Sequence, residues 1–287
     1  MKKECSINDF QNKFSSDDIC LEWLKNKFYP DGIFCKKCNK ITKHYKAKDR
    51  PSYCCEFCGN HVHPTADTIF HKSTTPLKDW FYAIYLMSAT RCGISAKQLE
   101  RELNVTYKTA WRMFSKIREM LRQQPIKSQG TFEIDETYMG GKHSGKTGRG
   151  SENKTIIFDI SQRNGKIVAK RIANVKSSTL IPITKDNVIP NAVIYTDEYP
   201  SYNRLNKEGF IHQIINHADK VYVIDDVHIN NIEGFWSLLK RGINGVYHSV
   251  SKKHLDNYLN EFVFRYNNRN NEEPMFYLML SQISKKS

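Results

Sequence analysis

The sequence predicts an α/β protein in which a small cysteine-rich module and a helical region precede a larger domain of strands and helices. Three observations support this prediction: two closely spaced cysteine pairs, two helical patterns joined by a short break, and strand patterns that carry acidic residues. The 287 residues suit about two domains. The predicted boundaries are an N-terminal helical segment (1–30), a cysteine-rich module (31–72), a helical region (73–125) and an α/β domain with C-terminal helices (126–287).

The charge of the chain predicts a polyanionic partner. The 44 Lys and Arg against 30 Asp and Glu give a net charge of +14, an excess typical of proteins that bind nucleic acid. Residues 1–125 carry 22 basic and 13 acidic side chains, whereas residues 126–287 carry 22 and 17. No apolar run reaches the roughly 18 residues of a membrane span, and the polar N-terminus lacks the pattern of a secretory signal. The sequence therefore predicts a cytoplasmic protein with no membrane partner.

Two Cys-x2-Cys pairs predict a zinc site in residues 31–72. Cys35 and Cys38 form the first pair, Cys55 and Cys58 form the second, and 16 residues separate the pairs. This spacing is typical of a zinc ribbon, in which four thiolates complete a tetrahedral shell around the ion. Such a shell leaves no position for substrate or water. We therefore expect the zinc to be structural, stabilising a module too small to bury a sufficient core.

Other residues near these pairs could bind the metal instead. Cys54 could replace Cys55, but its distance from Cys58 breaks the two-residue spacing, so we expect Cys54 to be a strand residue. With four sulfurs available, three nearby histidines are expected to lie on the surface or to face nucleic acid: His61, His63 and His71. All eight cysteines precede residue 93, which favours reduced thiols on a metal over a disulfide framework.

Residues 73–125 predict a helix-turn-helix. A buried helix over residues 77–86 comes first, and Ser95 can cap a second helix over residues 96–103. A break at residues 104–106 separates this helix from a third, which runs to residue 121. In a helix-turn-helix the last helix enters the major groove of DNA. The residues expected to face DNA are Thr106, Tyr107, Lys108, Thr109 and Arg112. The alternative is a helical bundle with no role in DNA binding.

The second half of the chain follows a linker at residues 126–130 and predicts strands mixed with helices. Alternating and apolar patterns indicate the strands, and apolar residues at helical spacing indicate the helices. The predicted elements are strands at 131–138, 155–160, 166–172 and 192–195, a hairpin turn at Asn164-Gly165, and helices at 177–183 and from 234 onward. The apolar stripe at residues 255–266 also has helical spacing and is expected to be core.

Three acidic residues in these elements predict a site for divalent metal ions. Asp135 is expected at the end of the first strand, Asp197 follows the last strand, and Glu233 precedes an amphipathic helix. Carboxylates from two strands and a helix can converge on two Mg²⁺ ions, which stabilise the attacking and leaving oxygens of a phosphoryl transfer. Each acid alone is more often a solvated residue, but the three together indicate catalysis. Lys240 lies two helical turns beyond Glu233 and could contact a phosphate.

Five blocks of the sequence point to one protein family: residues 68–77, 132–142, 195–199, 228–241 and 247–255. They resemble bacterial insertion-sequence transposases of the DDE type, in the subgroup with an N-terminal zinc ribbon, and the resemblance extends from about residue 20 to 270. It implies a ribonuclease-H-like catalytic domain, a mixed sheet flanked by helices, with dependence on Mg²⁺ or Mn²⁺. It also implies binding to double-stranded DNA at terminal inverted repeats, cleavage, and joining of the freed 3′ hydroxyl to target DNA. Action on two element ends implies a homo-oligomer on DNA, at the bacterial nucleoid.

The resemblance also implies roles for particular residues. Asp135 and Asp197 match the two aspartates of the family, Glu233 matches the third acid, and Lys240 matches the basic residue after it. Part of the family has asparagine in the third position, and Asn230 lies one turn before Glu233, so either side chain or both could reach the metal. A neutral amide is the weaker ligand for a dication, which favours Glu233. Further candidates are Arg241 for DNA contact and His228 for orienting a phosphate or a ligand.

Two other functions fit the same motifs. One is a DNA-binding regulator derived from a transposase that has lost catalysis, although the presence of all three acids argues against this. The other is a metal-dependent nuclease of the same fold that cuts DNA without joining it. A strand-transfer product distinguishes the transposase from both.

Overall fold

The computed structural model describes residues 4–140, 154–215 and 230–285. The chain forms two compact units: the first comprises the described residues of Met1–Met120 and Asn271–Ser287, the second those of Leu121–Asn270. The predicted domain 126–287 therefore differs from the second unit at its C-terminal end, because the last helix belongs to the first unit. No described helix is long and apolar enough to cross a membrane.

The first unit combines helices with a small all-β ribbon. Strands β1 and β2 form an antiparallel hairpin, and β3, β4 and β5 form an antiparallel sheet. The helices are α1 (Ile7–Lys13), α2 (Asp17–Phe28), α3 (Leu77–Ala89), α4 (Ala96–Leu103), α5 (Tyr107–Met120) and α9 (Met275–Ser281). The strands are β1 (Ile33–Cys35), β2 (Lys40–Thr42), β3 (His44–Lys46), β4 (Tyr53–Cys55) and β5 (His61–Val62).

An aromatic core explains why the C-terminal helix belongs to the first unit. Phe10 of α1, Phe14 after it and Phe81 of α3 are almost completely buried. Phe276 of α9 packs edge-on against Phe10 and Phe14, with ring centroids 5.7 Å apart in both pairs. Edge-to-face contacts of this kind are favourable beyond the area they bury. Without α9, this cluster of phenylalanines would be exposed on one side.

Helices α4 and α5 form the predicted pair joined by a three-residue turn. The Ser95 hydroxyl accepts a hydrogen bond from the backbone N–H of Gln98 at 3.1 Å and caps α4. Asn104 ends α4 in the left-handed conformation, with φ of 50°, which asparagine tolerates better than most residues. Leu99 of α4 and Ala110 of α5 are fully buried.

The second unit is built on a five-stranded mixed sheet. Its strands are β6 (Thr131–Met139), β7 (Thr155–Gln162), β8 (Ile167–Ile172), β9 (Val193–Thr196) and β10 (Ile211–Ile214). The spatial order is β10-β9-β6-β7-β8, and only β7 runs opposite to the others. Counted along the unit, the order is 3-2-1-4-5 with the second strand reversed, which is the ribonuclease-H-like arrangement. The predicted fold class is confirmed.

Helices cover the two faces of this sheet. They are α6 (Ser177–Asn187), α7 (Asn230–Gly242) and α8 (Leu255–Asn267), with short 3₁₀ helices at Pro200–Tyr202 and Leu205–Glu208 and a π-helical turn at Ile243–Tyr247. One face packs on α6 through residues such as Phe132 and Ile134. The other packs on α7 and α8 through Ile157 and Phe235. Because side chains alternate along a strand, every second residue of β6 faces α7.

The sequence located most of these elements but missed β10. That strand, Ile-His-Gln-Ile, lies at the sheet edge and is mostly exposed, so its residues carry no clear apolar alternation. The predicted hairpin at Asn164-Gly165 is present, with Asn164 at a φ of 54°. The apolar stripe of α8 is core as predicted, with Leu259 and Phe262 fully buried.

Candidate metal centre and active site

Four cysteine sulfurs converge in the ribbon. Cys35 ends β1 and Cys55 ends β4, while Cys38 and Cys58 lie in the turns that follow. The Sγ atoms of Cys35 and Cys58 are 3.4 Å apart, those of Cys38 and Cys55 are 3.9 Å apart, and all four lie within 4.8 Å of one another. Tetrahedral zinc with bonds of about 2.3 Å needs sulfur separations of about 3.8 Å. These four thiols, the thiol cluster, therefore fit a single tetrahedral ion.

The thiol cluster also has the electrostatics of a cation site. The Thr42 hydroxyl lies 3.2 Å from Cys55 Sγ and, together with backbone N–H groups of the turn, lowers the pKa of Cys55 to about 6. Hydrogen bonds with neighbouring sulfurs, Cys58 first, and burial raise the pKa of Cys38 to about 12. One thiol thus ionises readily while a neighbour resists further negative charge. A bound dication stabilises the thiolate form of all its cysteine ligands.

The alternative ligands lie outside the thiol cluster. Cys54 is a residue of β4, as predicted, and its sulfur is not among the four that converge. His61 Nδ1 is 2.9 Å from the hydroxyl of Ser52, and His71 Nδ1 accepts a backbone N–H at 2.8 Å. The ring of His63 stacks on that of His61. These local contacts account for the histidines without a metal.

The start of α5 presents most of the residues predicted to face DNA. The Thr106 hydroxyl accepts a backbone N–H one turn further on, at 3.3 Å, and so caps the helix. Thr106, Tyr107 and Lys108 are exposed, Tyr107 to 51%. Arg112 is half-buried, and its guanidinium lies over the ring of Trp80, 5.9 Å from the centroid. The first three residues are therefore open to a partner, whereas Arg112 is partly engaged in the helical core.

Two aspartates pair on neighbouring strands of the second unit, and a third directly follows the next strand. Asp135 is at the centre of β6 rather than at the predicted strand end, because β6 continues for four residues beyond it, and it pairs with Asp159 of β7. The parallel pairing of β6 with β9 ends at Glu133 opposite Tyr195. Continued for two residues, this register brings Asp197 beside Asp135. Since paired residues project to the same face and strands are about 4.8 Å apart, the three carboxyl groups are neighbours.

Helix α7 brings Glu233 to the same face of the sheet. Glu233 lies in the first turn of α7, which packs on this face through the buried side chains of Ile232 and Phe235. Burial raises the pKa of Glu133, and the nearby Glu233 carboxylate raises it further, while Arg163 and the backbone N–H of Ile232 lower it. The start of α7 therefore lies against Glu133. We refer to five carboxylates on this side of the sheet as the acidic face: Glu133, Asp135, Asp159, Asp197 and Glu233.

Arg163 forms an ion pair with one carboxylate of the acidic face. Its Nε donates a hydrogen bond to Glu133 Oε1 at 3.1 Å, and Glu133 is only 1% exposed. The guanidinium also lies over the ring of Tyr195, 4.6 Å from the centroid, a favourable cation–π position. A buried pair of this kind is costly to break, because removal of one partner leaves the other charge buried and unpaired.

Asp159 is a buried acid of the acidic face that the sequence analysis did not single out. It is completely buried, and neither carboxylate oxygen has a hydrogen-bond partner among the residues that the structure describes. Burial, and then the charges of Asp135 and Glu133, raise the pKa of Asp159 well above its usual range. A signal was available in the sequence, since Asp159 interrupts the otherwise apolar run of residues 156–160. Inward-facing acids are rare in such strands unless they have a partner.

The donor atoms of the acidic face fit hard divalent cations. All are carboxylate oxygens, which Mg²⁺ and Mn²⁺ prefer, and Glu133 Oε2 and both oxygens of Asp159 are buried without a described partner. In the described parts of the chain, no three of these carboxylates approach within 4.8 Å of one another as the thiols do. Two-metal sites span a wider set of ligands, since their ions lie about 3.5–4 Å apart. The residues present therefore fit a site for more than one dication.

An open groove along α7 adds basic residues to the site. Residues lining it are Glu233, Trp236, Ser237, Lys240, Arg241 and Asn244. Lys240 and Arg241 are exposed, and both lie in the last turn of α7. Basic side chains of this kind contact DNA phosphates. Asn230 begins α7, but its side chain, like the whole of His228, lies outside the described residues.

Comparisons with known proteins cover almost the whole chain. Residues 127–267 match the model of the ISXO2-like transposase domain family. A protein in the transposable element ISH50 of Halobacterium salinarum is 27% identical over 273 residues, 88% of this chain and 91% of that protein. A transposase-like protein of Haemophilus influenzae is 35% identical over 103 residues, which cover 36% of this chain and 82% of that protein.

Solved structures of Mos1 transposase complexes are distantly similar. A pre-cleavage transpososome is 12% identical, with a TM-score of 0.27 over 67% of this chain and 75% of that chain. A paired-end complex with Mg is 13% identical, with a TM-score of 0.25 over the same shares of the two chains.

Proposed function

Because the chain belongs to the insertion-sequence transposases of the DDE type, we propose that it acts on the two ends of an insertion sequence. It binds the terminal inverted repeats, cleaves a phosphodiester bond at their boundary, and joins the freed 3′ hydroxyl to target DNA. Two ends require at least two active sites, so the protein acts as a homo-oligomer on double-stranded DNA.

The acidic face is the observation that carries this proposal. Strand register brings Asp135 beside Asp197, and α7 brings Glu233 to the same side of the sheet. This convergence comes from strands and a helix that are far apart in sequence. Acids gathered on one face repel one another, because like charges close together disfavour the ionised forms, and a bound cation relieves that repulsion.

Each residue of the site has a distinct role in the proposed reaction. Asp135, Asp197 and Glu233 hold Mg²⁺ or Mn²⁺, which when bound stabilises charge on the attacking and leaving oxygens. Lys240 and Arg241 bind DNA phosphates along the α7 groove and fix the scissile bond over the acidic face. Water attacks the phosphodiester in the first step and the 3′ hydroxyl attacks in the second. The same residues serve both, so no covalent enzyme intermediate is needed.

The first unit supplies DNA recognition in this proposal. The thiol cluster holds a structural zinc ion that fixes the ribbon. The exposed Thr106, Tyr107 and Lys108 at the start of α5 face the DNA, where the N-terminus of the helix also favours phosphate. The charge of the chain supports this assignment, since residues 1–125 carry the larger basic excess.

A strand-transfer assay tests the proposal. The zinc-loaded protein is mixed with a labelled terminal-repeat duplex, target DNA and Mg²⁺ or Mn²⁺, and products are separated by size. We expect a nick at the repeat boundary and a joined product. Asp135→Asn and Asp197→Asn should bind the duplex normally but lower strand transfer by about 10³-fold or more, because they weaken the hold on the metal ions.

One variant serves as a matched control, and a second tests DNA binding. Asp256→Asn removes an exposed carboxylate of the same unit that pairs with Arg171 and lies outside the acidic face, so strand transfer should be unchanged. Lys108→Ala should weaken binding to every DNA sequence and reduce the salt dependence of binding by about one phosphate contact.

Cleavage without joining would identify a nuclease, and binding without cleavage would identify a regulator.

The third acid needs its own variant. Glu233→Gln keeps the size of the side chain and removes its charge, so we expect it to bind DNA and fail to cut. Equal activity in Glu233→Gln would move the role to Asn230, one turn earlier in the sequence. In that case Asn230→Ala should abolish cutting.

A further inference from the structure

Asp159 has the position of a site residue rather than a core residue. It pairs directly with Asp135 across β6 and β7, and the next pair on the same face is Glu133 with Ser161. Asp197 directly follows β9, the strand on the other side of β6, so the three aspartates belong to three adjacent strands or their ends. Asp135 is the middle member, so a ligand bound to it from this face also meets Asp159.

The described surroundings of Asp159 offer no positively charged partner for an acid. Ile157 of its own strand belongs to the apolar core on this face, and the nearby polar groups are the phenol of Tyr266 and the backbone N–H of Ile160, neither of which carries a positive charge. Arg163 on this side of the sheet pairs with Glu133. Both oxygens of Asp159 are buried with no described hydrogen-bond partner, an arrangement that disfavours folding.

We propose that Asp159 is a further metal ligand of the active site, acting beside Asp135 as a fourth carboxylate of the metal-binding set. This inference rests on the proposed function, because it extends the same site. The chemical class of the ligand is a hard divalent cation, Mg²⁺ or Mn²⁺, since every donor is a carboxylate oxygen. Asp159 binds from the buried side of the site, whereas Glu233 is exposed on the groove side.

A ligand role and a structural role predict opposite effects of one substitution. Asp159→Asn keeps the shape of the side chain and removes its charge. If Asp159 is a ligand, the metal-free variant should be at least as stable as the parent protein, because like-charge repulsion is relieved, while its affinity for the metal falls. If Asp159 serves only the fold, the variant should be less stable than the parent protein while its affinity for the metal stays the same.

The test is a Mn²⁺ titration of the full-length, zinc-loaded protein without DNA, followed by electron paramagnetic resonance of the free ion. We expect Asp159→Asn to weaken Mn²⁺ binding by about tenfold or more. The matched control is Ser161→Ala, a buried polar residue two positions along the same strand and face, which should bind Mn²⁺ like the parent. If Asp159→Asn does not fold, as judged by circular dichroism, Asp159→Ser replaces it.

The outcomes separate this inference from the proposed function. Parent-like Mn²⁺ affinity in Asp159→Asn, with weakened binding in Asp135→Asn, overturns the role of Asp159 and leaves the proposed site intact. Parent-like affinity in both Asp135→Asn and Asp197→Asn overturns the proposed metal site itself. Weakened binding in Asp159→Asn and Asp135→Asn, with Ser161→Ala unchanged, supports both.

Discussion

The thiol cluster and the acidic face both consist of side chains of the kinds that bind metal ions, but the chain assembles them in different ways. Residues 35–58 supply all four thiols, from two tight turns and the short strands before them. The acidic face draws on residues 133–233, from three strands and a helix. The first group depends on local turns, and the second depends on the register of a whole sheet.

The spacing of the ligands differs in the same way. All four sulfurs lie within 4.8 Å of one another, close enough to share one ion with no position left for substrate. Among the described carboxylates no group of three is so compact, and the site opens onto the groove of α7. A closed shell suits a structural metal, whereas a wider and partly open set leaves room for a substrate phosphate between ligands.

Metal removal should therefore affect the two groups very differently, and this is the largest effect we expect. Zinc contributes about 10–16 kcal/mol to the folding of small zinc modules. Chelation, or Cys35→Ser combined with Cys58→Ser, should unfold β1–β5, with loss of amide-exchange protection there, while the β6–β7 ladder stays protected. The control is Cys54→Ser, on the same strand but outside the thiol cluster, which should retain the full zinc content. A protected ribbon after complete zinc loss would contradict a structural role.

The next largest effect we expect is a loss of stability when the ion pair of the acidic face is broken. Arg163→Met leaves the buried Glu133 carboxylate without its ion-pair partner, at a cost of about 3–5 kcal/mol. Adding Glu133→Gln should restore most of this loss. The comparison is Arg171→Met, which breaks an exposed pair with Asp256 in the same unit and should cost less than about 1 kcal/mol. Amide exchange of the β6–β7 ladder measures the stability of the three variants. Equal losses of stability in Arg163→Met and Arg171→Met would show that the buried Glu133 does not depend on Arg163.

The same comparison explains how much of the protein could be predicted from its sequence. The thiol cluster follows from spacing alone, because two residues between cysteines fix a turn, and Cys54 could be set aside by counting. The helix pair follows from Ser95 and the break at residues 104–106. Both features are local, so a local pattern is enough to predict them.

The acidic face could be predicted only in part, because sheet register is not local. The sequence predicts both strands and the place of Asp197 directly after the second one, but it does not show that Asp135 lies in the middle of β6, opposite an acid of another strand. The sequence does not single out Asp159, because its position opposite Asp135 becomes visible only when β7 is paired with β6. Likewise, the aromatic contacts of Phe276 with Phe10 and Phe14 join the two ends of the chain, which no nearby residue indicates.

The smallest effect we expect is a pH dependence in the strands behind Asp197. His212 Nε2 of β10 lies 2.8 Å from Thr196 Oγ1, and the Thr196 hydroxyl donates to the backbone carbonyl of Asp197 at 2.8 Å. Burial lowers the pKa of His212. The unfolded chain therefore takes up a proton near pH 6.5, before the folded chain does, so stability is full above pH 6.5 and falls as pH drops towards the lower folded pKa.

His212→Gln should remove this part of the pH dependence. The measurement is amide-exchange stability of β9 between pH 7 and pH 5, in which the parent loses protection on acidification and the variant loses less. His248→Asn is the control, because His248 is exposed and lies in the same unit. An unchanged slope in His212→Gln would place the acid sensitivity of this strand in the carboxylates of the acidic face instead. In that case the stability of the sheet would depend on several carboxylates of the acidic face and not only on the ion pair of Glu133.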